Sequence, residues 1–388
     1  MIELIESLEF MQLIHNSLFE VSKNKNPLFK AFIDSAAEAG YKINQDMNGE
    51  KQEGFGMYDI TIDKGERASV SKHYLNPATN RKNLTIYTDS FVEKIIFEGK
   101  KAIGIEVKIK NKVEKIYANK EVILSSGSIN SPQLLMLSGV GPAQHLKNKG
   151  IEVIHALEGV GKNLQDHLET YVQQECKTSD TLYSYVNKLN MLRIGIQWFL
   201  SRTGPCSTSF LEAGGFCKSS PEREYPNIQF HFFPAFVVDH GLVDPDRHGY
   251  QLHASPNHPK SRGHITLNSS NPYDYPKILF NYLEHKDDLK QTIEAIEVAR
   301  NILGQNSMKH FAGKETGPGT GIQTHELYED YIRSKAETAY HPSCTLKMGI
   351  DDMSVVDEKL KVHGINNLRI VDASVMPEIT SGNLNAPT

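Results

Sequence analysis

The sequence predicts a mixed α/β fold with more than one domain, and three observations carry that expectation. β-Branched stretches crowd residues 91–127, FVEKIIFEGKKAIGIEVKIKNKVEKIYANKEVILSSG. They break at Glu98–Lys101 and Lys110–Lys112, the pattern of a meander of short strands. The last stretch, EVILSSG, runs into SINSPQLLMLSGVGP, giving strand, glycine–serine turn and helix in succession. Apolar residues recur at helical spacing over 28–40, 285–305 and 323–334. A chain of 388 residues holds material for two or three such domains.

Along the chain, Ile2, Leu4, Ile5, Leu8, Met11, Leu13 and Ile14 are spaced for an amphipathic helix. LFKAFIDSAAEAG (28–40) predicts a second helix, closed by Gly40. LTIYT (84–88) predicts a strand ahead of the meander. In SINSPQLLMLSG, Ser131 is expected as N-cap, Pro132 as the first helical residue and Gly139 as the stop. Backbone N–H groups at that N-terminus can hold a phosphate or another anion, although an ordinary β–α connection reads the same way. Residues 168–250 read as mixed and loop-rich, around Trp198 and the aromatic run FHFFPAF (230–236). SRGHITL (261–267) opens another β region, and the C-terminal section alternates short strands and turns through LRIVDASVMPE and SGNLNAPT. No internal repeat or low-complexity segment is present.

Composition excludes several classes. Hydrophobic residues at 39% and charged residues at 23% are incompatible with wholesale disorder. A formal charge of −5, with lysines interleaved among acids, leaves no footprint for nucleic acid. Cys176, Cys206, Cys217 and Cys344 form no CxxC pair, which argues against a zinc knuckle and a disulfide scaffold and for a reducing compartment. No run approaches the ~18 apolar residues of a transmembrane segment. The first residues carry acids and no basic n-region, unlike a secretory signal.

The most informative short segment is TAYHPSCTLKMG (338–349). Its His341 has a near-neutral intrinsic pKa and can accept a proton in catalysis. It can equally be a hydrogen-bonded structural residue. GSINS (127–131) approaches GxSxG, but its serine spacing is wrong for a hydrolase elbow. His231, His240, His248, His253, His258 and His264 show neither HExxH spacing nor paired cysteines, so no metal is expected. The dinucleotide fingerprint GxGxxG is absent: GVGPAQ (139–144) lacks the third glycine, and GPGTG (317–321) follows no convincing strand.

The motifs taken together point further. NPLFKAF (26–32), QEGFG (52–56), GSINSPQLLMLSGVGP, GVGKNLQDHLE (159–169), FLEAGGF (210–216), SRGHITL, YHPSCTLKMG, LRIVDASVMPE and SGNLNAPT occur in this order. In that combination the chain resembles the glucose–methanol–choline (GMC) flavoprotein oxidoreductases over nearly its whole length, and most resembles their choline-oxidising members. The resemblance implies an incomplete FAD-binding Rossmann-like domain plus a substrate domain with an antiparallel sheet and helices. Residues 20–167 would form the FAD-binding region, 168–335 mainly the substrate domain, and 336–388 the return to the FAD domain with active-site residues. The implied cofactor is FAD. The implied substrate is a small alcohol, choline, oxidised to betaine aldehyde by hydride transfer to flavin N5, with an electron acceptor of respiratory type. Such enzymes are associated with the mitochondrial inner membrane or a bacterial membrane.

By position, the resemblance makes His341 the active-site base and Asn385 its partner. Asp372 and Ala373 correspond to the segment near the FAD pyrophosphate and ribityl chain, and Val92 to a backbone contact with adenine. A quaternary ammonium asks for aromatic faces and a carboxylate. Glu212 is the candidate counter-charge, Tyr340 an aromatic wall and His258 a second active-site histidine. Each has a plain alternative: a surface acid, a core residue and a turn residue.

The sequence also departs from the family pattern. It begins after the first strand–turn–helix with its GxGxxG, stops before a closing helix, and has Leu346 where relatives often carry Cys. The expectation is that the chain is one piece of a longer enzyme and does not retain FAD alone. The alternatives are a GMC enzyme for another alcohol, or a flavin-free product without catalysis.

Overall fold

The computed structural model describes residues 20–21, 25–237 and 246–388. The helix expected over residues 2–14, and His240, lie outside them.

Helix α1 (Pro27–Glu38) starts where Asn26 Oδ1 accepts the N–H of Leu28 at 2.9 Å and Pro27 takes the first helical position. Strand β1 is Gly54–Met57. The expected meander follows as β2 (Ser90–Glu98), β3 (Lys101–Ile109) and β4 (Lys112–Tyr117), then β5 (Val122–Leu124). Next come α2 (Gly127–Leu137), β6 (Leu168–Cys176), α3 (Lys188–Ser201), β7 (Ala213–Cys217), β8 (Ile228–Phe233) and β9 (Gly249–Pro256). The remainder holds β10 (His264–Thr266), β11 (Lys277–Leu279), α4 (Lys286–Leu303), β12 (Ala312–Gly317), α5 (His325–Lys335) and β13 (Leu368–Ile370).

Two compact units emerge, each from three stretches of chain. The first comprises the described residues up to 85, with 169–256 and 290–336. Its antiparallel sheet runs β12–β6–β9–β8–β7–β1. Helix α1 packs on β1 and β7. Phe32 stacks on Phe232 at 4.8 Å and meets Phe55 edge-on at 6.0 Å, a dry aromatic core. The glycine pair in FLEAGGF is forced by that packing. A Cβ on Gly214 would stand 2.0 Å from the Phe230 carbonyl oxygen, and one on Gly215 2.4 Å from the Phe55 ring.

The second unit comprises 86–168, 257–289 and 337–388. It contains the antiparallel sheet β2–β3–β4, the parallel pair β5–β13, the antiparallel pair β10–β11, and α2. Helix α2 is buried on nearly every side, as an apolar helix must be. Leu135, Met136, Leu346, Val356, Leu368 and Ile370 pack in its core, each fully or almost fully buried.

Two sequence expectations need correction and a third needs detail. LTIYT (84–88) forms no strand: no partner pairs with it among the described residues, and Ile86 and Tyr87 are exposed. β-Propensity without a cross-strand neighbour does not hold a strand. Residues 168–250 are mixed, as expected, and between their loops they also supply β6, β7, β8, the start of β9 and α3. Their strands are buried in runs such as AGGFC, so the period-2 alternation that marks a half-buried strand is missing. Helix α2 begins at Gly127, a full turn before Ser131, and Pro132 lies inside it. A proline there removes the N–H that would serve the Ser128 carbonyl. Thr345 supplies the replacement, donating its hydroxyl to that oxygen at 2.6 Å.

Candidate active site

Beyond Thr338, which ends a two-residue strand, TAYHPSCTLKMG is neither helix nor regular strand, yet it is held along both edges. On one edge Ala339 N–H donates to the His167 carbonyl at 2.9 Å. Ser343 and Gln165 exchange backbone bonds at 2.9 and 3.2 Å, and Gly161 N–H donates to Thr345 at 2.9 Å. On the other edge Cys344, Leu346 and Met348 donate to the carbonyls of Ala373, Ser374 and Val375 at 3.1, 2.8 and 2.8 Å. NLQDH and DASV therefore fix the backbone that carries His341.

His341 is half-buried, and its backbone N–H donates to Asp166 Oδ1 at 2.8 Å. Its Nδ1 lies 3.0 Å from His167 Nδ1, with the rings nearly perpendicular at 87°. Its Nε2 lies 3.2 Å from Asn383 Nδ2. His167 is buried, and its Nε2 sits 3.0 Å from the Asn257 carbonyl. Asp166 is also buried and accepts the hydroxyls of Thr338 and Tyr282 on Oδ2. Burial raises its carboxyl above the usual range, against the opposing pull of hydrogen bonds from Thr338, Tyr282 and the His341 N–H.

The other expected residues divide between the units. Tyr340, His258, Val92, Asp372, Ala373 and Asn385 join His341 in the second, whereas Glu212 belongs to the first. Asn385 is exposed on the segment that carries Asn383. His258 adjoins Asn257 and is half-buried; burial lowers its pKa, opposed by the Glu378 charge. Tyr340 is 70% exposed at φ +62°, so it is not a core residue. Glu212 is 1% exposed, accepts the Thr208 hydroxyl, and lines a cavity of about 1080 Å³ within its unit, so it is not a surface acid.

Asp372 has a definite local task. Its Oδ2 accepts the Gly127 N–H at 3.0 Å and the Ser131 hydroxyl at 2.5 Å, closing the N-terminus of α2. Its Oδ1 accepts the Ser374 N–H at 2.9 Å. Ala373 packs against the buried cluster of Cys344, Ile379 and Leu384. Val92 lines a second cavity, of about 430 Å³, with Phe91, Ser126, Asn130, Tyr273 and Tyr275. Just beyond Ser126, Gly127 stands at φ +80° with open space where a Cβ would be, and buried Ser128 Oγ has no hydrogen-bond partner among the described residues. A glycine with open space beside it, an orphaned hydroxyl and an aromatic-walled cavity suit a ring-bearing cofactor. Among the described residues no group of three His, Cys, Asp or Glu side chains is placed to hold a metal ion, and no helix is long and apolar enough to cross a membrane.

Sequence reasoning missed His167, Asp166, Asn257, Asn383 and Thr345. The signals available were weak ones: an acid–histidine pair ahead of a strand in NLQDHLE, and two asparagines in SGNLN where the resemblance selected the second.

Comparison with known proteins supplies the remaining findings. The family model for the N-terminal part of the GMC oxidoreductases matches residues 8–169, and that for the C-terminal part matches 259–388. The chain is 49% identical over 365 residues to a protein named oxygen-dependent choline dehydrogenase from Staphylococcus xylosus, covering 93% of this chain and 65% of that one. A protein of the same name from Staphylococcus saprophyticus is 48% identical over the same share of each chain. The chain thus spans a little under two thirds of these curated relatives. Among solved structures, pyridoxine 4-oxidase from Mesorbium loti superposes with a TM-score of 0.83 at 26% identity, covering 95% of this chain and 68% of that one. A fungal aryl-alcohol oxidase does so at 0.82 and 23% identity, covering 92% of this chain and 68% of the other, which shows the shared fold alone.

Proposed function

The chain belongs to the GMC oxidoreductase family, and on that premise we propose that it takes part in the FAD-dependent oxidation of choline to its aldehyde, with His341 as the base. The names of the relatives support the substrate. The observation that carries the role of His341 is its suspension: backbone N–H on Asp166, Nδ1 against His167, Nε2 beside the Asn383 amide.

FAD bound to this family supplies a two-electron acceptor for the hydride on the alcohol carbon. Val92 with its cavity, Asp372 at the α2 N-terminus and the adjoining Ala373 are the residues that would hold it. His341 Nε2 takes the hydroxyl proton as the carbon gives up its hydride, which lowers the barrier because an alkoxide releases hydride more readily than an alcohol. The amides of Asn385 and Asn383 orient the oxygen, since an amide N–H donates to an alkoxide without competing for its proton. Buried Glu212 is the candidate counter-charge for the ammonium, Tyr340 the candidate aromatic wall and His258 the candidate second active-site histidine.

The test is rapid anaerobic reduction by choline of this chain joined to a complete flavin-binding segment and loaded with FAD. His341→Ala should slow flavin reduction by about 10²–10⁴-fold, the usual contribution of a positioned base. Reduction at the wild-type rate would remove His341 from that role.

A further inference from the structure

His167 lies in no role assigned so far, and its hydrogen bonds fix more than position. A neutral imidazole has one donor nitrogen and one acceptor nitrogen. A carbonyl oxygen can only accept, so the proton facing Asn257 O at 3.0 Å is carried by His167 Nε2. That leaves His167 Nδ1 as a lone pair, pointed at His341 Nδ1 across 3.0 Å. A second proton on His167 would place a charge on a ring that is 1% exposed, at a heavy desolvation cost.

The donor between the two Nδ1 atoms is then His341. Its proton sits on Nδ1, and Nε2 keeps the lone pair, which accepts from Asn383 Nδ2 at 3.2 Å. The opposite tautomer fails at both ends: two lone pairs would face each other at Nδ1, and Nε2–H would meet an amide N–H. Turning the Asn383 amide relieves only the second conflict. The edge-on rings, 5.1 Å between centroids, keep the Nδ1–Nδ1 line short without stacking.

We infer that His167 is a positioning residue: through the Asn257 carbonyl it holds His341 in the Nδ1–H tautomer, so that Nε2 presents a lone pair rather than a proton to the substrate hydroxyl. A third group that orients a base and selects its tautomer is the logic by which hydrolytic triads work, here with a histidine in place of a carboxylate. The inference rests on the assignment of His341 as the base, and its test separates the two.

The test is ¹⁵N NMR of the whole protein labelled at histidine, above the imidazole titration range, with signals assigned by His341→Ala and His167→Phe. In the wild type His341 should appear as pure Nδ1–H and His167 as pure Nε2–H. In His167→Phe, which keeps an aromatic ring but offers no acceptor, His341 should shift towards the Nε2–H form. The rate of flavin reduction in the loaded variant should fall about 10²-fold, within the range for losing a base in its competent state, with choline KM little changed. A wild-type His341 protonated at Nε2 overturns the inference without reference to any variant. So does a His167→Phe protein whose His341 remains pure Nδ1–H. Normal reduction in His341→Ala, by contrast, would remove the base assignment and leave the tautomer intact.

Discussion

Thr345 donates its hydroxyl to the Ser128 carbonyl, the one acceptor in α2 that Pro132 cannot serve. The bond ties the segment carrying His341 to the helix that bears the expected cofactor-binding N-terminus. Both partners are buried, Thr345 completely. Thr345→Val keeps the shape and leaves the carbonyl without a donor, which should cost about 1–3 kcal/mol of unfolding free energy. Pro132→Ala restores the intrahelical donor, so in that background the Thr345→Val cost should shrink by roughly 1 kcal/mol. Urea denaturation of the four proteins of this cycle reads the coupling. Equal losses in both backgrounds would show that the hydroxyl does not replace the proline's missing N–H.

Glu212 is a buried carboxylate lining a cavity and accepting a hydroxyl from Thr208. Glu212→Gln retains volume and the ability to accept from Thr208 but removes the charge. Choline affinity should weaken by about 2 kcal/mol, roughly thirtyfold, the scale for removing one partner of a desolvated charge pair. The neutral carbon isostere of choline should lose far less. Calorimetric titration with both ligands decides the matter, and an unchanged choline affinity would take Glu212 out of the substrate site.

What was legible in the sequence was local. The meander β2–β3–β4 could be read because its turns are written in the chain, at Gly99 with φ +56° and at Lys110 and Asn111 with φ +47° and +71°. The large antiparallel sheet could not, because its pairings join distant residues such as Tyr171 and His253, and its buried strands lose the alternation that marks an edge of the core. The start of α2 was misread for a similar reason. Pro132 ends or begins a helix by local rules, and the donor that lets it sit inside one comes from 217 residues away. His341 could be singled out by motif, but His167, 174 residues from it, gains meaning only when the fold sets the two Nδ1 atoms together.

Asp166 gives the site a signature on stability. Burial raises its native pKa, with the bonds from Thr338, Tyr282 and the His341 N–H opposing the rise. The native state therefore holds a proton at pH values where the unfolded chain has released it. Stability then falls as pH climbs from the ordinary carboxylate range to the raised native value, and levels off above it. Asp166→Asn cannot titrate. Its side-chain oxygen can still accept the His341 N–H, and its amide can donate to the hydroxyls of Tyr282 and Thr338 once these rotate. The variant should start less stable than the wild type at low pH and close the gap as pH rises above the ordinary carboxylate range. Thermal unfolding of both proteins at matched ionic strength measures that difference. A constant gap, or one that widens with pH, would mean that Asp166 is held as a stabilised anion rather than as an acid whose ionisation burial opposes.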